Sequence, residues 1–240
     1  MRSLGDIELR RALAVLAGAL IAVASVFPMW RITLTAPQYP GQELIVKLYA
    51  YPRLGGDFEE VQALNSYVGF YYPDPVLIDP NFEVHELAIA TPEWSLAPFF
   101  IIGAGLICIA LAWRSSTENI GRRLRRLAVA YMVFFAGIAG VAQYRLYQAG
   151  HSLDPGAPLR GVDAFTPPLL GRYEIANISG EAWLAMGGYL TLTGVALLIA
   201  AAVIGYRTVT LAEVVELVSS RLAHLRTRTE TRYERPSEQP

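Results

Sequence analysis

Apolar residues collect into four long runs, at 12–30, 96–113, 127–144 and 183–206. Each approaches the ~20 residues that an α-helix needs to cross ~30 Å of hydrocarbon. Four transmembrane helices are therefore predicted. The bilayer then acts as solvent for half the chain, and function is expected in the polar segments between the runs.

Those segments differ in pattern. In the first, Ile32-Thr33-Leu34-Thr35 and Leu44-Ile45-Val46-Lys47-Leu48-Tyr49 are rich in β-branched and aromatic residues. They flank the turn-like Ala36-Pro37-Gln38-Tyr39-Pro40-Gly41, which predicts a β-hairpin. Asp57, with Glu60 three residues on, has the form of a capping box opening a short helix through Val61, Leu64 and Tyr67. In the second segment, Asp154-Pro155-Gly156-Ala157-Pro158 and Thr166-Pro167-Pro168 disfavour regular structure. An irregular loop laid over the first segment is the expectation there.

After the fourth run, Thr210 and Glu213 repeat the capping pattern, and Leu211, Val215, Val218, Leu222 and Leu225 follow at 4-3-4-3 spacing. This amphipathic helix is read as a docking surface for a partner helix. Two alternatives stay open: lying on the inner leaflet through its basic face, or packing on this chain. The tail beyond Thr229 is expected to be disordered.

The expected fold is mainly α: an integral membrane four-helix bundle with a small extracytoplasmic α/β elaboration and a cytoplasmic C-terminal amphipathic helix. The divisions are 1–30 (cytoplasmic N-terminus and first span), 31–95 (outer hairpin and short helix) and 96–145 (second and third spans with a basic loop). There follow 146–182 (outer Pro-rich loop), 183–206 (fourth span) and 207–240 (cytoplasmic helix and tail).

Charge assigns the sides. Arg2, Arg10 and Arg11 precede the first run, Arg114, Arg122, Arg123, Arg125 and Arg126 join the second and third, and six further arginines follow the fourth. By the positive-inside rule both termini are cytoplasmic, which suits a multi-pass protein of the bacterial inner membrane. Topology accounts for the arginines, so nucleic-acid binding is not expected. Ala22-Val23-Ala24 also has the small-residue form of a signal-peptide cleavage site. The apolar run continues through Trp30, which favours an uncleaved anchor.

Candidate chemistry is sparse. Cys108 is the single cysteine and lies in the second run, where it is read as a small core residue. No ionisable residue sits well inside a run, which argues against an ion-coupled transporter. No nucleophile–base constellation or nucleotide loop is present, so an enzyme is not expected. His151, with Asp154 three residues on, offers an imidazole and a carboxylate suited to copper or zinc. Anchoring of the loop by hydrogen bonds is the alternative for the same pair. His85 is read as a solvated loop residue.

Two outer stretches carry a resemblance. The first is Ala36-Pro37-Gln38-Tyr39-Pro40 with Gly56-Asp57 and Leu64-Asn65-Ser66-Tyr67-Val68-Gly69-Phe70. The second runs from Gly150-His151-Ser152-Leu153-Asp154-Pro155 to Phe165-Thr166-Pro167-Pro168-Leu169-Leu170-Gly171 and Ile175-Ala176-Asn177. Together they resemble a family of small four-helix bacterial membrane proteins associated with nitrous oxide reductase gene clusters. The resemblance implies copper handling or support of that enzyme, with copper as a possible cofactor. Family members carry histidine where this chain has Ser66 and methionine where it has Phe70, which implies a lost metal site on a retained scaffold.

The expected role is thus a non-catalytic accessory or structural subunit of a larger membrane or periplasmic redox complex. Its partners would be other membrane or periplasmic subunits and the lipid bilayer. The alternative is a copper-handling protein that supports maturation of a periplasmic reductase.

Overall fold

A computed structural model describes residues 8–76, 84–175, 177–204 and 216. The stripe Leu211, Val215, Val218, Leu222 and Leu225 lies outside the described residues, as does the rest of the expected C-terminal helix.

The chain builds helix α1 (Leu9–Ala24), strands β1 (Trp30–Thr35), β2 (Leu44–Leu48) and β3 (Leu54–Gly56), and helix α2 (Phe58–Val68). Helices α3 (Pro92–Arg114) and α4 (Thr117–Gly150), strands β4 (Gly171–Ile175) and β5 (Ile178–Leu184), and helix α5 (Met186–Val203) follow. The strands form one antiparallel sheet in the order β3-β2-β1-β5-β4.

This corrects the expected fold class. Five helices with a five-stranded antiparallel sheet make an α/β fold, not a mainly α four-helix bundle. The reason lies in 171–184. Arg172 and Glu174 alternate with the half-buried Tyr173 and Ile175, and β5 buries Ile178, Gly180 and Ala182 while exposing Ser179 and Trp183. That period of two marks a half-buried strand. Reading 146–182 as an irregular loop, and Trp183 as the start of an apolar run, hid it. Pairing of β5 with β1, Trp30 opposite Leu184, then makes the sheet continuous across two distant parts of the chain.

The hairpin over β1 and β2 forms in register from Trp30–Leu48 to Leu34–Leu44. Asp57 does stand at the head of α2, but its side chain makes no cap bond there. Its carboxylate instead accepts the Ile45 N–H at 2.9 Å, tying the helix start to β2. The helix ends where Gly69 takes a φ of 87°, left-handed backbone that favours glycine, and the Phe70 N–H returns to the Asn65 carbonyl at 2.8 Å.

Among the described residues, three helices are long and apolar enough to cross a membrane: α3, α4 from Asn119 onward, and α5. The 16-residue α1 is shorter. It packs between α3 and α5 through small residues. Gly18 meets the backbone of Gly105 on α3, Ala17 meets Gly194 on α5, and Ala24 meets Gly187. Such residues let helix backbones approach closely, which suits packing in lipid, where apolar burial alone does not drive association.

Two cores result. One lies among the helices around Ile21, Cys108, Ile120, Leu124 and Leu198. The other lies between the sheet and α2, around Leu34, Leu44, Val46, Val61, Leu64 and Ile178.

Candidate functional site

The ends of the helices separate into two unlike surfaces. At one end, Arg11 donates to the Ala112 and Ser115 carbonyls at 2.5 and 2.6 Å, capping the C-terminus of α3. Arg125 reaches the Ala202 carbonyl near the end of α5 at 3.4 Å. Helix C-termini leave carbonyls unpaired and carry partial negative charge, so guanidinium groups satisfy both needs.

At the other end stands the sheet, fastened to the helices at several points. The Ala185 and Gly187 N–H groups donate to the Met29 and Pro28 carbonyls, and Trp94 Nε1–H donates to the Tyr49 carbonyl. Gln143 on α4 holds a loop peptide from both sides: its Nε2 donates to the Pro167 carbonyl and its Oε1 accepts the Leu169 N–H, each at 3.0 Å. Trp30 Nε1–H donates to the Leu169 carbonyl at 2.7 Å. Gln143 therefore binds the backbone of the loop at 167–169. Thr191, a buried polar residue of the fourth apolar run, donates to the Gly187 carbonyl of its own helix.

The second outer segment lies across the first. Asp154 N–H donates to the Gly69 carbonyl and Leu159 N–H to the Tyr67 carbonyl, at 2.9 and 3.1 Å. Leu159, Val162 and Phe165 pack against the core under the sheet, and Phe165 stacks on Phe70 with ring centroids 6.0 Å apart. At this seam the Asp154 carboxylate accepts the Gly156 N–H at 2.7 Å and the Tyr71 hydroxyl at 2.9 Å. Tyr71 in turn lies face to face with His85, centroids 3.6 Å apart and planes 6° from parallel.

The electrostatics follow from these contacts. The Gly156 amide first, then the Tyr71 hydroxyl, hold the Asp154 carboxyl below its ordinary range, with His85 adding a small effect in the same direction. Burial first, then the bond to Asp154, raises the Tyr71 hydroxyl. Burial also pushes the Tyr173 phenol up to about 12, and Tyr72 well above its usual value.

His151 and Asp154 were singled out as a metal pair, and each has its own partner. His151 closes α4, with Nδ1 donating to the Tyr147 carbonyl at 2.9 Å and the ring stacked on Tyr147 at 4.0 Å. Asp154 serves the seam. No group of three or more His, Cys, Asp or Glu side chains that could hold a metal occurs among the described residues.

Where the resemblance implies ligands, Ser66 donates to the Gln62 carbonyl and accepts from Gln62 Nε2, and Phe70 stacks on Phe165. This donor set does not fit copper, which prefers imidazole and thioether at such positions. Tyr71 is the residue that sequence reasoning missed; His85, read as a solvated loop residue, is exposed and stacks on it. Tyr71 and Asp154 stand 83 positions apart, so no local spacing announces their contact.

No family model, curated protein or solved structure matches the chain.

Proposed function

We propose that this chain is a multi-pass membrane protein, with α1 crossing beside the three longer helices, that presents its sheet-and-α2 unit outside the cell membrane as a rigid, non-catalytic docking platform. It serves as an accessory subunit of a larger membrane or periplasmic complex, with its termini and arginine-rich end in the cytoplasm. The observation that carries this reading is the fastening. Gln143, Trp94 and the 28–29 backbone bind the outer unit to the helices through directed hydrogen bonds, and Trp30 ties the loop that Gln143 holds to β1. Such a unit holds one orientation relative to the bilayer, as a platform must. The arginine end also supports the topology, since those side chains satisfy helix ends where the cytoplasmic leaflet would lie.

Extraction in mild detergent followed by native mass analysis tests the reading. Stoichiometric co-purifying subunits are expected, whereas a lone monodisperse monomer overturns it. A reporter fused after Pro240 should be active only in the cytoplasm.

We do not adopt the copper-handling alternative, because Ser66 and Phe70 are poor ligands and the Asp154 carboxylate is already engaged twice. Copper titration of wild type and His151→Ala should give equal stoichiometry. Loss of one bound equivalent in the variant would restore the alternative.

A further inference from the structure

One face of the sheet packs on α2 and the seam loop; the other is open. Alternation places Arg31, Thr33 and Thr35 of β1, Ile45 and Lys47 of β2, and Ser179, Glu181 and Trp183 of β5 on the open face. In register, Lys47 stands opposite Arg31, and Arg31 opposite Trp183. Two cations thus face each other across neighbouring strands, an arrangement that is ordinarily destabilising. No ion pair joins either to a carboxylate among the described residues. The carboxylate two rows out on the same face, Glu181, is held by Arg172 at 3.5 Å and by Trp183 Nε1–H. The pair therefore has unspent positive charge, and both side chains are exposed.

Position says what would neutralise it. Trp30 follows the end of α1 after the turn at 25–29, and only Ala185 separates Leu184 from α5. The Lys47–Arg31–Trp183 row is the next row out. That is headgroup depth for a chain crossing the bilayer, and Trp183, 42% exposed, is the residue type that favours this depth.

We propose that this row seats the phosphate of an anionic phospholipid in the adjoining leaflet, with Arg31 and Lys47 pairing the phosphate and Trp183 packing on the acyl–glycerol boundary. The inference rests on the spanning reading above. A lipid, rather than free phosphate, is the fitting occupant because the row opens beside the ends of two apolar helices.

The test uses the full chain in mixed micelles of phosphatidylglycerol and phosphatidylcholine, reading retained lipid by class. Wild type should enrich the glycerol lipid, and Arg31→Gln with Lys47→Gln should lower that preference about fivefold per cation removed, the factor equivalent to about 1 kcal/mol. The charge-conserving Arg31→Lys with Lys47→Arg should keep it. The doubly neutral variant should unfold at the wild-type temperature or above, since a repulsion has been removed. An unchanged lipid preference in that variant overturns the proposal, as does saturable binding of inorganic phosphate alone with no lipid preference. Recovery of the wild-type chain in the alkaline-carbonate-soluble fraction overturns the spanning reading, and the headgroup site with it.

Discussion

The closest helix crossing carries a built-in reporter. A methyl group added at Gly18 would lie 2.6 Å from the Gly105 carbonyl oxygen and 2.8 Å from Ile109 Cγ1, where ordinary contact begins at 3.4 Å. The first obstacle is backbone, so no side-chain rotation relieves it. In Gly18→Ala, α1 and α3 must therefore separate by most of an ångström, and overpacking of this kind costs ~1–3 kcal/mol. Cys108 sits at the same crossing, fully buried, its thiol donating to the Ala14 carbonyl at 3.1 Å. It is also the single cysteine of the chain. If the thiol reacts only after local opening, that destabilisation speeds alkylation roughly 5- to 150-fold, at ~1.4 kcal/mol per factor of ten. Gly103→Ala is the control: it lies on α3 too, and a methyl there meets nothing within 4 Å. Maleimide labelling in micelles, followed by intact mass, measures both rates. Wild-type labelling in Gly18→Ala, or equal acceleration in Gly103→Ala, would refute the close-crossing argument.

Four further outcomes are expected. Gln143→Leu strands the Pro167 carbonyl and the Leu169 N–H together, so it should cost ~1–3 kcal/mol for each group left unpaired and lower the thermal midpoint; an unshifted midpoint would mean water replaces the side chain. Arg11→Leu leaves the Ala112 and Ser115 carbonyls without their donor and should destabilise by a comparable ~1–3 kcal/mol, with Arg11→Lys intermediate. The pH limbs have opposite signs. Asp154 is depressed in the folded chain, so its contribution is present above the ordinary carboxylate range and lost as pH falls through the lower folded value; Asp154→Asn should flatten that acid limb. Tyr173 is raised to about 12, so its contribution holds below its usual value near ~10 and is lost as pH rises through the folded value; Tyr173→Phe should shift alkaline unfolding upward, read by phenolate absorbance.

Legibility varied by element. The hairpin of β1 and β2 and the short α2 could be read because their signals are local: alternating β-branched residues, a Pro/Gly turn, and a glycine where the helix stops. The apolar runs likewise announced α3, α4 and α5, although α4 extends to Thr117 and Gly150, well past the run at 127–144. The strands β4 and β5 carried a visible period of two, but it lay almost wholly within the stretch read as an irregular Pro-rich loop, and its last two residues were counted into the apolar run. His151 and Asp154 were marked by residue type and spacing alone. Their actual partners are a helix carbonyl in one case and a tyrosine from the other outer segment in the other.

Composition and order along the chain thus determined which stretches are long and apolar enough to cross a membrane, where arginines gather, and which short segments turn or coil, because these depend on neighbours within a few residues. Only the tertiary structure decided that β5 joins β1, that Gln143 grips a loop, that Asp57 ties a helix to a strand, and that Arg31 faces Lys47. Each of these joins residues too far apart in sequence for any periodicity to link them, and each is set by the hydrogen bonding of backbone groups once the chain has closed on itself.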